Sequence, residues 1–164
     1  MKATDFIRMS LENSKNWALG LINDMKDDPL AESTPGGNHA LWVLGHITRS
    51  ESDLLDGFIL GRPNRFPEWD GVFSMGSQPS TDASQYPSLD ELFGKFEEIR
   101  AATLAHLDTL SDDDLDKPSH APQEFGPSFA TVGACYAAMA THVVFHAGQV
   151  AVARKAAGRA PLMA

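Results

Sequence analysis

The sequence predicts an all-α protein, a single four-helix bundle covering residues 1–164, and three observations carry that reading. Apolar residues recur at steps of three and four through four long segments. No segment alternates apolar with polar residues as a half-buried strand does. The segments are separated by polar or proline-containing connections. At 164 residues the chain suits one domain with a substantial core.

From Thr4 to Met25, the positions Ile7, Leu11, Ala18, Leu21 and Met25 keep the three-four spacing. Ser14 lies in the same seam, with Trp17 and Ile22 at its flank, as in an amphipathic helix. Asp27-Asp28-Pro29 ends that helix, and Glu32 to Gly37 is a turn-rich connection. Asn38 is the expected N-cap of the second helix, which runs to about Leu60 before Gly61 and Pro63 stop it. Leu41, Val43, Leu44, Ile47, Leu54, Leu55 and Phe58 make its interior, while His39, Trp42, His46 and Asp53 share another stripe.

Gly61 to Pro87 reads as an ordered crossover, with Phe66, Trp69, Val72, Phe73 and Met75 expected to pack down onto the bundle. The Ser88-x-x-Glu91 pattern starts the third helix, whose inward face is Leu92, Phe96, Ile99, Thr103, Leu107 and Leu110. Ser111 to Leu115 adds a short helical turn, and Asp116 to Pro127 is a loop. The fourth helix is expected from about Ser128 to Ala157, with Gly158 just past its end. Its seam is Val132, Tyr136, Met139, Val143, His146, Val150 and Ala153, the spacing of a helix buried along its length. A helix of about 22 residues is near 33 Å long, a span that about 27 extended crossover residues exceed. An up-down-down-up order is therefore accessible.

Composition excludes several classes. A net charge of −9 with scattered cations argues against nucleic acid as the main partner. No run approaches the roughly 18 uninterrupted apolar residues of a membrane span, so no membrane partner is expected. Cys135 is the single cysteine, and no secretory leader pattern precedes the first helix. A cytoplasmic location is the expectation.

Chemistry concentrates in the fourth helix. His142 and His146 are about 40° apart in azimuth and roughly 6 Å apart along the axis, close enough to address one ion. The pair alone fits two hydrogen-bonded core histidines equally well. The second helix offers His39 and His46, which are about 10 Å apart along the axis, too far for one ion to hold both. His46 lies roughly 10 Å inside its helix and His146 roughly 16 Å from the far end of its own. In antiparallel helices these depths are comparable, whereas His39 lies at the rim, so His46 is the expected third ligand.

Three imidazoles around a divalent cation leave coordination positions open, as in a reactive site. Gln149, one turn after His146, either orients a bound group or bonds across the bundle. Asp53 is either an outer hydrogen-bond acceptor for the site or an exposed helical acid. Cys135 lies roughly 10 Å from His142 along the helix, beyond the reach of a Cys-His nucleophile pair, and reads as a small buried thiol. His106 and His120 lack companions at ligand spacing. Glu-x-x-His and His-Glu-x-x-His are both absent, which removes di-iron carboxylate bundles and zincin-type proteases. No residue is assigned a catalytic role.

Three stretches together resemble the DinB/YfiT-like metal-binding four-helix bundles. They are Asn38 to His46 (Asn-His-Ala-Leu-Trp-Val-Leu-Gly-His), Leu107 to Lys117, and His142 to Gln149 followed by Arg154 and Gly158. The resemblance implies a metal site at His46, His142 and His146 holding zinc foremost, with nickel or iron as alternatives, in a protein that is commonly a homodimer. It also implies a small-molecule substrate. Relatives in that family include bacillithiol S-transferases and a mycothiol-dependent maleylpyruvate isomerase, so a low-molecular-weight thiol is an implied cofactor. The competing expectation is a non-catalytic metal-binding or stress-response bundle.

Overall fold

The computed structural model describes residues 1–162. Its long helices are α1 (Ala3–Asp24), α2 (Ala40–Ser52), α4 (Leu89–Leu107) and α5 (Val132–Ala156), with a one-turn α3 (Asp70–Phe73) inside the crossover. Helix α2 does not stop at Ser52 but continues as a π-helical segment, Asp53–Ile59, marked by a bond from Leu60 N–H to the Leu55 carbonyl at 3.0 Å. Among the described residues there is no strand, only an isolated bridge between Pro118 and Thr131. No helix among the described residues is long and apolar enough to cross a membrane.

Helix starts follow local hydrogen-bond chemistry, with two departures from expectation. Helix α2 is capped by His39 rather than Asn38: the His39 Nδ1 accepts from Trp42 N–H at 3.1 Å. Helix α5 begins at Val132, not Ser128. Pro127–Phe129 forms a separate 3₁₀ turn, and Val132 N–H bonds to the Lys117 carbonyl, holding Thr131 extended. Thr131 then caps the helix by accepting from Ala134 N–H. Helix α4 starts as read, with Ser88 Oγ accepting from Glu91 N–H. Helix α1 is capped from a distance, since the Asp112 carboxylate accepts from Ala3 and Thr4 N–H, each at 3.0 Å.

Paired contacts give the helix directions. Arg8 meets Asp108 while Lys15 meets Glu97, so α1 and α4 run in opposite senses. Arg154 meets Asp24 while Ser14 and Trp17 line one pocket with Ala140 and Val144, so α1 and α5 run in the same sense. Asn38 meets Gln149 and Phe58 meets Phe129, so α2 and α5 are antiparallel. Helices α1 and α5 thus point one way, α2 and α4 the other.

The core contains every residue of the α5 seam, with Leu11, Ala18 and Ile22 from α1, Leu44 and Ile47 from α2, and Leu92, Phe96 and Ile99 from α4. The crossover seals one side with Phe66, Trp69 and Phe73, whereas Met75, expected to pack down, stands 80% exposed. The centre also holds an ion pair. Arg100 donates Nε–H and Nη2–H to the two Glu51 oxygens at 2.8 and 2.7 Å, and donates Nη1–H to the Leu11 carbonyl. Thr103 Oγ1 donates to Glu51 at 2.7 Å. With Arg100 and Glu51 at 0% and 2% exposure, this fork ties α1, α2 and α4 together inside the bundle.

Candidate metal centre

Antiparallel packing of α2 on α5 brings His46 to His142 and His146. The His142 Nε2 lies 3.2 Å from the His46 Nε2 and 3.0 Å from the His146 Nε2. One ligand nitrogen from each of the three residues falls within 4.8 Å of the others. His46 and His146 are buried, and His142 is half-buried on the flank.

Each buried imidazole is fixed through its second nitrogen. The His46 Nδ1 sits 2.7 Å from the Phe73 carbonyl, which only accepts, so Nδ1 carries the proton and Nε2 presents a lone pair. The His146 Nδ1 donates to Gln149 Oε1 at 2.7 Å, and that oxygen also accepts from Asn38 Nδ2 at 2.8 Å. Two Nε2 lone pairs therefore face the His142 Nε2, and a single proton there satisfies only one of them. A cation satisfies all three. A tetrahedral ion with nitrogen ligands at 2.0–2.1 Å separates its donors by about 3.3 Å, near the spacing observed here. The donor set fits a divalent metal.

Local packing explains the His46 contact. Gly45 has no side chain, and the Phe73 ring fills the place of one: an ideal Cβ on Gly45 would lie 2.3 Å from the ring. That close approach delivers the Phe73 carbonyl to His46. Trp42, one turn before His46, stacks on its imidazole at 4.6 Å and donates its indole N–H to the Val72 carbonyl at 3.0 Å.

Electrostatics keep the cluster neutral. Burial, then the neighbouring imidazoles, pushes His142 down to about 3, and the same causes push His146 to about 4. Burial also lowers His46. The rings are therefore uncharged at neutral pH, the form that ligates metal.

The cluster opens onto a cavity of about 1170 Å³, lined on the α2 side by Trp42, Arg49, Asp53 and Phe58. Asp53 lines this cavity without bonding to any of the three histidines. Its oxygens take Arg49 Nη1–H at 2.5 Å and Asn64 Nδ2–H at 2.7 Å. Gln149 touches His146 directly. His39 lies at the end of its helix, as read, and is fully buried there, its Nε2 bonded to the Ser80 carbonyl at 2.9 Å. Cys135 is buried as expected. His106 bonds to the Tyr136 hydroxyl at 2.7 Å, and the His120 ring lies against Gly61.

Sequence reasoning missed Asn38 as the partner of Gln149, Arg49 on the cavity wall, and the Phe73 carbonyl. Arg49 follows His46 at i+3, a spacing that marks a shared face. A backbone carbonyl leaves no such signal.

The sequence profile of the DinB superfamily matches residues 11–150. A crystal structure of a conserved protein from Enterococcus faecalis is similar in fold, with a TM-score of 0.72 at 15% identity, over 97% of this chain and 99% of that one. Among curated proteins none matches the chain.

Proposed function

Since this chain belongs to the DinB superfamily, we propose that it is a divalent-metal-dependent enzyme in which His46, His142 and His146 hold the ion. Its reaction, on this reading, is transfer of a low-molecular-weight thiol to a small electrophile, or a thiol-dependent isomerisation. The carrying observation is the pair of fixed Nε2 lone pairs aimed at His142 Nε2 beside an open cavity. A bound divalent cation supplies Lewis acidity, which favours the deprotonated form of a coordinating thiol.

The chain's own groups do the rest. Phe73 and Gln149 hold protons on the outer nitrogens of His46 and His146, so both ligands keep one tautomer. Asn38 fixes the Gln149 amide in turn. Trp42 covers one face of His46 and limits water there, leaving the cavity side for substrate. Zinc suits three imidazoles best, with nickel and iron as alternatives. The outer face of α5 supports a homodimer, because Val144, Phe145 and Val152 are exposed apolar residues on a helix whose other face is core.

His46→Ala, His142→Ala and His146→Ala are each expected to abolish stoichiometric metal by elemental analysis. Unchanged metal content in these variants would remove the assignment. Thiol conjugation across a panel of electrophiles, run with and without chelator, tests the reaction. A large loss of thermal stability on chelation, with no turnover on any thiol, would support the non-catalytic alternative.

A further inference from the structure

We propose that the end of the cavity remote from the three imidazoles is a subsite for an uncharged aromatic group. The ligand is then an elongated molecule, with a metal-binding group at one end and a ring at the other. Only the naming of the near end rests on the metal reading above.

Phe58, Phe125 and Phe129 form a triangle, with ring centroids 5.2, 5.6 and 5.9 Å apart and tilted or edge-to-face planes. All three line the cavity that contains His46, His142 and His146. They come from separate segments: the π-helical end of α2, the 3₁₀ turn Gln123–Phe125 and the 3₁₀ turn Pro127–Phe129.

The π-helical segment is what puts Phe58 there. In an uninterrupted α-helix a residue twelve positions after His46 points about 120° away from it. A π turn, with bonds from i to i+5 and about 4.4 residues per turn, rotates each residue about 18° less. Six such steps remove roughly 110°, which returns Phe58 to the stripe of Trp42, His46 and Asp53. The axial separation from His46 to Phe58 is about 18 Å at most, which sets the length of the ligand.

Charge on the intervening wall is already satisfied. Arg49 is paired with Asp53 and Asp70, and Asp53 also accepts from Asn64. Away from the three imidazoles, no buried side-chain nitrogen or oxygen among the described residues lacks a hydrogen-bond partner. Nothing there calls for a charged ligand group. Phe125 remains 38% exposed, so the triangle offers ring faces and edges that a flat aromatic guest continues in the same tilted pattern.

The test is a titration of the full-length protein, stripped of metal with chelator, with N-phenyl-1-naphthylamine, a neutral dye that is dim in water and bright in apolar sites. Saturable one-site binding is expected. Phe58→Ala should weaken it at least tenfold, and so should Phe125→Ala, a partly exposed position that keeps the test decisive if the first variant folds poorly by circular dichroism. Phe6→Ala, exposed on α1 and outside the cavity lining, should leave it unchanged. Absence of saturable binding, or binding indifferent to both phenylalanine variants, overturns the proposal. Failure of the metal reading appears instead in the metal content of the histidine variants and leaves these titrations untouched.

Discussion

Replacing Gly45 by alanine tests how closely the site depends on the crossover. The new Cβ would lie 2.3 Å from Cε1 and Cζ of Phe73 and 2.5 Å from Cδ1, where 3.4 Å begins ordinary contact. The ring must retreat by more than 1 Å, the difference between 3.4 and 2.3 Å. It has little room, being fully buried with Trp69 at 5.4 Å and Tyr86 at 5.6 Å. Backbone movement follows, and the Phe73 carbonyl leaves the His46 Nδ1, now 2.7 Å away. Overpacking of this kind costs about 1–3 kcal/mol, against a helix-propensity gain of roughly 1 kcal/mol for Gly→Ala. Loss of an outer partner of a ligating histidine costs about 10–100-fold in metal affinity. Thermal unfolding of the metal-free protein and zinc titration against a competing chelator measure the two effects. Gly20→Ala, on an exposed face of α1 with nothing within 4 Å, is the control and should stabilise. A Gly45→Ala protein with unchanged melting temperature and zinc affinity would refute the reasoning.

Two further outcomes concern the core and pH. Arg100→Met should destabilise by about 3–5 kcal/mol in urea unfolding, because it strands the Glu51 carboxylate; adding Glu51→Leu should restore most of that loss. A double variant no more stable than the single one would contradict this. His142 and His146 titrate at about 3 and about 4 in the folded protein, whereas an unfolded imidazole titrates near about 6.5. The unfolded chain therefore binds their protons first as the solution is acidified. Their contribution is complete above about pH 6.5 and is lost as pH falls toward 4 and 3. Melting temperature of the metal-free protein should decline across that window, less steeply in His142→Leu; equal slopes would count against burial as the cause.

Much of this was legible in the chain. The α5 seam from Val132 to Ala153 is buried throughout, since a strict three-four step leaves one face for the core. The depth count singled out His46 over His39, and the structure brings His46 to the pair. Other features had no local trace. Arg100 and Glu51 carry charges that usually face water, and the opposite charge that balances each lies 49 residues away in the chain. The π-helical segment keeps apolar residues at spacings that an α-helix also allows, so Asp53 to Ile59 read as more of the same helix. Asn38 and His39 are both able to cap a helix. The choice between them was made by tertiary contacts, Gln149 drawing the Asn38 side chain away and Ser80 holding the His39 ring in place.

The cavity has two kinds of wall. Its three imidazoles stand on α2 and α5, held by a bundle core that tolerates little change in shape. Phe125 and Phe129 stand on the connection that leads into α5, outside those helices. Connections accept insertions and substitutions that helix interiors refuse. Descendants of such a bundle are thus free to exchange their choice of guest by rewriting one loop while the histidine cluster is inherited intact, and chemistry and selectivity can diverge at different speeds within one fold.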